Sequence, residues 1–191
     1  MDSGKQHNAE PVVKTFTQYL NLVRKWNKTA GLVSSRDLEH LRSRHLEDSL
    51  ALQEHLGCAR SLLDVGSGGG FPGIPLAVSN TDIRTTLVER NQKKCSFLRH
   101  VVMTLKLRNV DVVNADIRDI EEELNQFDVI SARAVASPDQ VWRWCRGMLA
   151  EHGRLLLQTA SSYDGKLHDA IVESHLSSGV GWINVVQRNV S

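Results

Sequence analysis

From Pro11 onward the apolar positions Val12, Phe16, Tyr19 or Leu20, Val23 and Trp26 recur at spacings of three and four, which predicts a helix. Residues 1 to 10 read as a frayed start, and Asn27 to Ser35 is rich in turn formers, including Gly31. Leu38, Leu41, His45, Ser49, Leu52 and Leu56 predict a second helix over residues 36 to 56, with Gly57 as its cap. At Arg60 the texture changes. Ser61–Val65 is a short apolar run entering a glycine cluster, and a helix should follow through Val78. Thr85–Val88, Val110–Val113, Phe127–Ile130 and Arg154–Leu157 read as further strands. Between them Asn91 should cap a helix with Cys95, Leu98, Val101, Val102 and Leu105 on one face, and Pro138 should open a helix through Leu149. Residues 166 to 176 are expected to be helical, and Trp182–Val186 to be the last strand.

Strands alternating with helices predict an α/β fold, a parallel sheet with helices on both faces. The helical residues 1–58 form an N-terminal extension to a domain spanning 59–191. In such a sheet a ligand sits beyond the carboxyl ends of the strands, so the residues to inspect follow each strand.

The cluster after the first strand is Asp64-Val-Gly66-Ser-Gly68-Gly-Gly70-Phe71-Pro-Gly73. Glycines let backbone approach a ligand without a Cβ in the way, and the following helix offers amides and a positive dipole end. A nucleotide-type ligand is the natural reading. Gly68 to Gly73 matches the dinucleotide fingerprint, but the first tight-turn glycine is Gly66, and the sixth residue from it is Phe71. The spacing Asp-x-Gly-x-Gly-x-Gly resembles instead the first motif of class I S-adenosylmethionine-dependent methyltransferases. Glu89, after the second strand, is placed for a ribose, and Asp116, after the third, for an adenine. A helix cap is the alternative role for Asp116.

The resemblance then narrows. Trp26-Asn-Lys28, His45-Leu-Glu-Asp-Ser49, Asp64 to Pro75, Lys93-Lys-Cys-Ser-Phe-Leu98 and Ser131-Ala-Arg-Ala134 stand in an order that resembles the small-subunit ribosomal RNA methyltransferase G family, also called glucose-inhibited division protein B. The resemblance implies a Rossmann-like sheet, S-adenosyl-L-methionine as donor, and methylation of guanine N7 at position 527 of 16S rRNA. It implies cofactor contacts at Gly66, Phe71, Ile117, Arg118 and Arg133, beside the Asp64, Gly68, Gly70, Glu89 and Asp116 of the strand ends. Three departures stand out. The chain has Ala115-Asp-Ile-Arg118 where the family has Gly-Arg-Ala-Glu, so Asp116 is expected to take the adenine contact. It has Gln158-Thr159 where the family has Lys-Gly, and only five residues after Val186, from which the last antiparallel strand is expected to be missing. A cofactor-binding protein without catalysis, a nicotinamide-dependent oxidoreductase and a methyltransferase of small molecules or proteins are the competing readings.

Guanine N7 carries a free lone pair, so no catalytic base is required; Arg133 is the expected orienting residue, with a salt bridge to Asp128 as its alternative role. The chain lacks the Asn/Asp-Pro-Pro-aromatic motif of amine methylation and the Pro-Cys nucleophile of cytosine methylation.

Over 191 residues the net charge is +1, which says nothing about partners, but its distribution does. Residues 21–46 carry six Lys/Arg against two acids, and residues 84–108 carry seven against one. Basic stretches suit RNA phosphates. Arg24, Lys25 and Lys28 on the first helix, and Lys93 and Lys94 at the start of a later one, are the expected RNA contacts, with Arg42 and Arg44 beside them. His45, Asp48 and Ser49 either cover the cofactor pocket or form a buried structural cluster. Trp142 and Trp144 are read as packing residues. Three cysteines at wide spacings, Cys58, Cys95 and Cys145, fit a reducing compartment and no metal site. No signal peptide or membrane-length apolar run is present, so the expectation is a cytoplasmic monomer.

Overall fold

The computed structural model describes residues 9–119, 126–177 and 181–189. Seven strands form one sheet: β1 (Ser61–Val65), β2 (Arg84–Val88), β3 (Val110–Val113), β4 (Phe127–Arg133), β5 (Leu149–Thr159), β6 (Ala170–Leu176) and β7 (Trp182–Arg188). Their order is β3-β2-β1-β4-β5-β7-β6. The first five are mutually parallel, while β7 runs antiparallel to both β5 and β6. The chain therefore reverses its direction across the sheet at β1, between β2 and β4, and the carboxyl ends there open a crevice.

Two expectations are corrected at this edge. The antiparallel strand expected to be missing is present as β7, inserted between β5 and β6. The helix expected over 166–176 is instead β6 from Ala170 onward. Its β-branched Ile171 and Val172 suit a strand, but as an edge strand it leaves Ile171 and Leu176 exposed, so its sequence carries no clean alternation. Pairing with β7 decides its conformation.

The helices are α1 (Ala9–Ala30), α2 (Glu47–Leu50), α3 (Gly73–Ser79), α4 (Gln92–Leu105) and α5 (Pro138–Cys145). The single helix expected over 36–56 is broken. Leu41–Leu46 winds as a π-helix, α2 is one α-turn, and Ala51–His55 is 3₁₀. Leu41, Leu46 and Leu52 are all buried, at intervals of five and six that a uniform 3.6-residue period cannot keep on one side. A wider turn followed by a tighter one brings them to the same core. The helix from Pro138 also stops early, at Cys145, with a 3₁₀ turn and then β5 beginning at Leu149.

Successive strand residues face opposite sides of the sheet. Leu63 and Val65 of β1 join the core under α5 with Val141, Trp142 and Cys145. On the other side α1 contributes Phe16, Tyr19, Leu20 and Val23 to a core shared with Ile74, Phe97, Leu98 and Val101. Asn91 caps α4 as expected, its side-chain oxygen accepting from the amides of Lys93 at 3.0 Å and Lys94 at 3.2 Å.

Candidate active site

The glycine loop is fixed from three sides. Gly66, Gly68 and Gly70 have φ of +67°, +54° and +90°, the left-handed region that favours glycine. Tyr19, fully buried on α1, donates its hydroxyl to the Gly69 carbonyl at 2.6 Å. Asp64 accepts from the Ser131 hydroxyl at 2.8 Å and from the Gly73 amide at 3.3 Å. A Cβ on Gly73 would lie 2.3 Å from Leu87 and 2.8 Å from the Asp64 carboxylate, so glycine is needed to seat α3 against β1. The first amide of α3 is thus taken by Asp64 and is not offered to a ligand. Burial pushes the Asp64 carboxyl up to about 6, against the hydrogen bonds from Ser131, Ser67 and Gly73.

Beside this loop lies a cleft of about 510 Å³ at the carboxyl ends of β1 to β4. Of the residues expected at the cofactor, Gly66, Glu89, Asp116, Ile117 and Arg118 line it. Glu89 is buried, and its two oxygens accept from the amides of Gly68 at 2.9 Å and Asn91 at 2.7 Å. Asp116 and Arg118 form a two-pronged pair, with Nε at 2.8 Å and Nη2 at 2.7 Å from the carboxylate. That guanidinium holds the Asp116 carboxyl far below the usual range. Asp116 also accepts the Arg118 amide, so its turn-capping role is realised beside its place in the cleft.

Asp64, Gly68, Gly70, Phe71 and Arg133 lie outside the lining of this cleft. Gly70 and Phe71 are packing residues. A Cβ on Gly70 would meet Ile74 at 2.7 Å, and the Phe71 ring sits 5.1 Å from Tyr19 and 5.0 Å from His45. Arg133 pairs with Asp48 at 3.8 Å and donates to the Arg44 carbonyl at 3.0 Å, while Asp128 is taken up by the amides of Arg60 and Ser61. Its expected alternative partner is therefore replaced by a residue of the N-terminal helices.

Sequence reasoning missed several lining residues. Trp144, read as packing, lines the cleft with the Arg118 guanidinium 5.7 Å from its ring centroid, whereas Trp142 is buried and donates to the His168 carbonyl at 2.8 Å. Lys94, expected on RNA, also lines the cleft, while Lys93 is exposed on the surface, as are Arg24, Lys25, Lys28, Arg42 and Arg44. Tryptophan two residues after a buried tryptophan on a helix must face the other way, which was a legible signal.

His45, Asp48 and Ser49 separate. The Ser49 hydroxyl bonds back to the His45 carbonyl, the His45 ring stacks on Phe71, and Asp48 turns toward Arg133. Burial, with Arg133 nearby, pulls the His45 imidazole down to about 4, so it is neutral at pH 7. Asp48 and Arg133 line a second cleft of about 360 Å³, which shares Ala134 and Ala136 with the first. Ala134, with φ of +52°, is a non-glycine residue in the left-handed region, and its strained turn stands between the two.

The lining of the first cleft fits an adenosine. Glu89 is a buried acceptor for a diol, Val135, Ile117 and Trp144 offer apolar surface to a flat base, and Asp116 is an acceptor for an exocyclic amine. Among the described residues, no helix is long and apolar enough to cross a membrane, and no cluster of His, Cys, Asp and Glu could hold a metal.

Comparison with known proteins agrees with this geometry. Residues 12–180 match the family described as rRNA small subunit methyltransferase G, or GidB. The "Ribosomal RNA small subunit methyltransferase G" of Chromobacterium violaceum is 41% identical over 145 residues, covering 76% of this chain and 69% of that protein. The protein of the same name from Pseudomonas paraeruginosa is 39% identical over 156 residues, covering 82% and 69%. Among solved structures, cofactor-bound Rv0187 from MTB superposes with a TM-score of 0.66 at 16% identity, covering 93% of this chain and 91% of that one. A methyltransferase from Geobacter sulfurreducens superposes at 0.64 and 15% identity, covering 95% and 90%. At such identities the structural likeness is one of fold, whereas the sequence matches are of family rank. The chain belongs to the rRNA small subunit methyltransferase G family.

Proposed function

We propose that this protein is a 16S rRNA methyltransferase that takes a methyl group from S-adenosyl-L-methionine and places it on N7 of the guanine at position 527. The observation that carries the reading is the cleft beside the glycine loop, where Glu89, Ile117, Asp116 and Trp144 provide the contacts an adenosine needs within a chain of this family.

The cofactor would be held by Glu89 at the ribose, by Ile117, Val135 and Trp144 around the adenine, and by Asp116 at its amine. When bound, it supplies an electrophilic sulfonium methyl, which the N7 lone pair can take as the positive charge passes from sulfur to the base, with no proton moved. The chain's task is therefore to hold and orient. Tyr19, Asp64 and Glu89 fix the glycine loop through backbone and carboxylate contacts, so little reorganisation is needed on binding. Asp64 and Gly68 act by shaping the loop, and Gly70 and Phe71 by packing beneath it. Arg133, anchored by Asp48 and the Arg44 carbonyl, stands at the boundary of the two clefts and orients the incoming base.

Lys93, Arg24, Lys25 and Lys28 are exposed cations suited to RNA phosphates of the 30S subunit or an assembly intermediate. Residues 1–58 act as an extension that closes one side of the 59–191 domain through α1. We place the protein in the cytoplasm, where its substrate is made, acting as a monomer. The test is transfer of labelled methyl to 30S subunits lacking the modification. Label in 16S rRNA supports the reading. Label in a protein fraction of a lysate favours a different acceptor, and tight binding of the cofactor without any transfer favours a binding protein.

A further inference from the structure

Between the N-terminal helices and the end of the sheet, the second cleft gathers polar groups that the cofactor reading does not use. Asp48 comes from α2, Arg133 from the end of β4, Gln158 from β5, Ser177 follows β6, and Trp182 opens β7. Five separate elements converge on one space. It adjoins the first cleft through Ala134 and Ala136, which line both.

Its polar atoms are buried and specifically arranged. Gln158 donates its amide nitrogen to the Asp48 carbonyl at 2.9 Å. Its carbonyl oxygen Oε1 is buried and has no hydrogen-bond partner among the described residues, and the same holds for Arg133 Nη1. A buried polar atom left without a partner costs free energy, and one lining a cleft is ready to be satisfied by a ligand. Asp48 accepts the Ser177 hydroxyl at 3.0 Å on one oxygen and faces Arg133 at 3.8 Å with the other. A carboxylate has further lone-pair sites for a ligand. Trp182 adds an aromatic surface against which a base can stack.

The order of these groups matches one nucleobase. Along the edge of guanine run N7 and O6, both acceptors, then N1–H and the 2-amino group, both donors. Along the cleft run the boundary with the cofactor site, then the donor Arg133, then the acceptors Gln158 and Asp48. Adenine presents a donor where O6 stands and an acceptor at N1, and would leave both sets opposed. We infer that the second cleft receives the target guanine flipped out of its RNA, with Arg133 donating to O6 and with Gln158 and Asp48 accepting from N1–H and the 2-amino group. This assignment rests on the reading of the first cleft as the methyl donor's site and names the residues that choose the base.

N7 then lies at the boundary and faces the first cleft. The remaining role of Gln158 is legible in its chemistry. Methylation leaves a positive charge on the base, and a neutral amide beside it avoids the repulsion that a lysine at this position would bring. The Asp48 carboxylate offsets the charge of Arg133.

The test couples a protein change to a base change. The wild-type chain and Gln158→Leu are assayed for single-turnover methyl transfer on 30S particles reconstituted with guanine or with inosine at the target position; inosine lacks only the 2-amino group. Binding of S-adenosylhomocysteine is measured in parallel and reports on fold and cofactor site. The wild type should lose about tenfold or more on inosine, since a site built to bind a donor rejects the analogue lacking it. Gln158→Leu should lose a similar factor on guanine, show little further loss on inosine, and bind S-adenosylhomocysteine as the wild type does. Asp48→Asn provides the second variant, with a comparable loss of transfer and unchanged cofactor binding. The inference is overturned if Gln158→Leu methylates guanine at the wild-type rate, or if the inosine penalty survives intact in both variants. Absence of any transfer by the wild type on guanine overturns the proposed function itself, and this assignment with it.

Discussion

Glu89 and Gly68 are joined by a hydrogen bond of 2.9 Å from the glycine amide to one carboxylate oxygen, while the other oxygen accepts the Asn91 amide at 2.7 Å. One acid at the end of β2 thus ties together the glycine loop and the start of α4, and faces the cleft between them. Glu89→Ala leaves two amides without their acceptor, at about 1–3 kcal/mol each if they stay dry. It should weaken S-adenosylhomocysteine binding by at least about tenfold, the equivalent of one such bond. Glu89→Gln keeps one acceptor oxygen and should fall between the two. Calorimetric titration of the three proteins gives the order.

Asp116 and Arg118 present themselves to the cleft as a bonded pair, so neither can be removed without releasing the other. Asp116→Ala should reduce cofactor affinity more than Arg118→Ala. The double variant should fall short of the sum by about 0.5 kcal/mol or more, the usual sign of residues in one network. Strictly additive losses would separate the two roles.

The positions of Lys93 and Lys94 predict different phenotypes for two adjacent lysines. Lys93→Ala should flatten the dependence of log K for 30S binding on log salt by about 1, the value for one phosphate contact, and leave cofactor affinity alone. Lys94→Ala, because its side chain lines the cofactor cleft, should change S-adenosylhomocysteine affinity. Binding isotherms at several salt concentrations, with and without cofactor, distinguish them.

Asp64 and His45 pull the pH dependence of stability in opposite directions. The Asp64 carboxyl, raised by burial to about 6, binds a proton in the folded state that the unfolded chain releases near its ordinary value of about 4. Its contribution to stability is therefore present below about pH 4 and lost as pH rises to about 6, on the order of 2–3 kcal/mol. The His45 imidazole, lowered by burial to about 4, has the reverse effect, because the unfolded chain takes up the proton first and stability rises with pH up to its ordinary value. Wild-type stability should change little between pH 4 and 6. Asp64→Asn should make it rise across that window and His45→Gln should make it fall, as read from denaturant midpoints.

Two glycines of one loop should differ sharply on substitution. Gly68 has left-handed φ and open space around a Cβ, so Gly68→Ala should cost about 1–2 kcal/mol of backbone strain. Gly70→Ala adds collisions with Ile74 and the Tyr19 hydroxyl, and should cost a further 1–3 kcal/mol or so from overpacking. Thermal melts of the two variants measure the difference.

The parts of this protein that were legible in the sequence are those whose signals are local. Asn91 as a cap, the strand run Ser61–Val65 and the glycines after it carry their own backbone instructions. Gly66, Glu89, Asp116, Ile117 and Arg118 followed because they lie just after strands or within a family motif. The residues 170–176 were misread because an edge strand is half-exposed and takes its conformation from β7. The interval from Leu41 to Leu46 was misread because a π-turn keeps apolar residues five apart on one side, which a 3.6-residue template counts as disorder in the pattern. The second cleft was invisible for a different reason. Asp48, Arg133 and Gln158 are separated by 85 and 25 positions in the chain, and only the sheet brings them together.

The account's central claim is that a methyl group moves from the first cleft to N7 of one guanine. The most direct measurement is to methylate hypomodified 30S subunits with this protein and S-adenosylmethionine, then cleave the 16S rRNA chemically at N7-methylated guanines. The account predicts a single new cleavage at position 527, dependent on the cofactor and abolished in Glu89→Ala. Label incorporated into 16S rRNA without N7 cleavage, or cleavage at a different guanine, would contradict it.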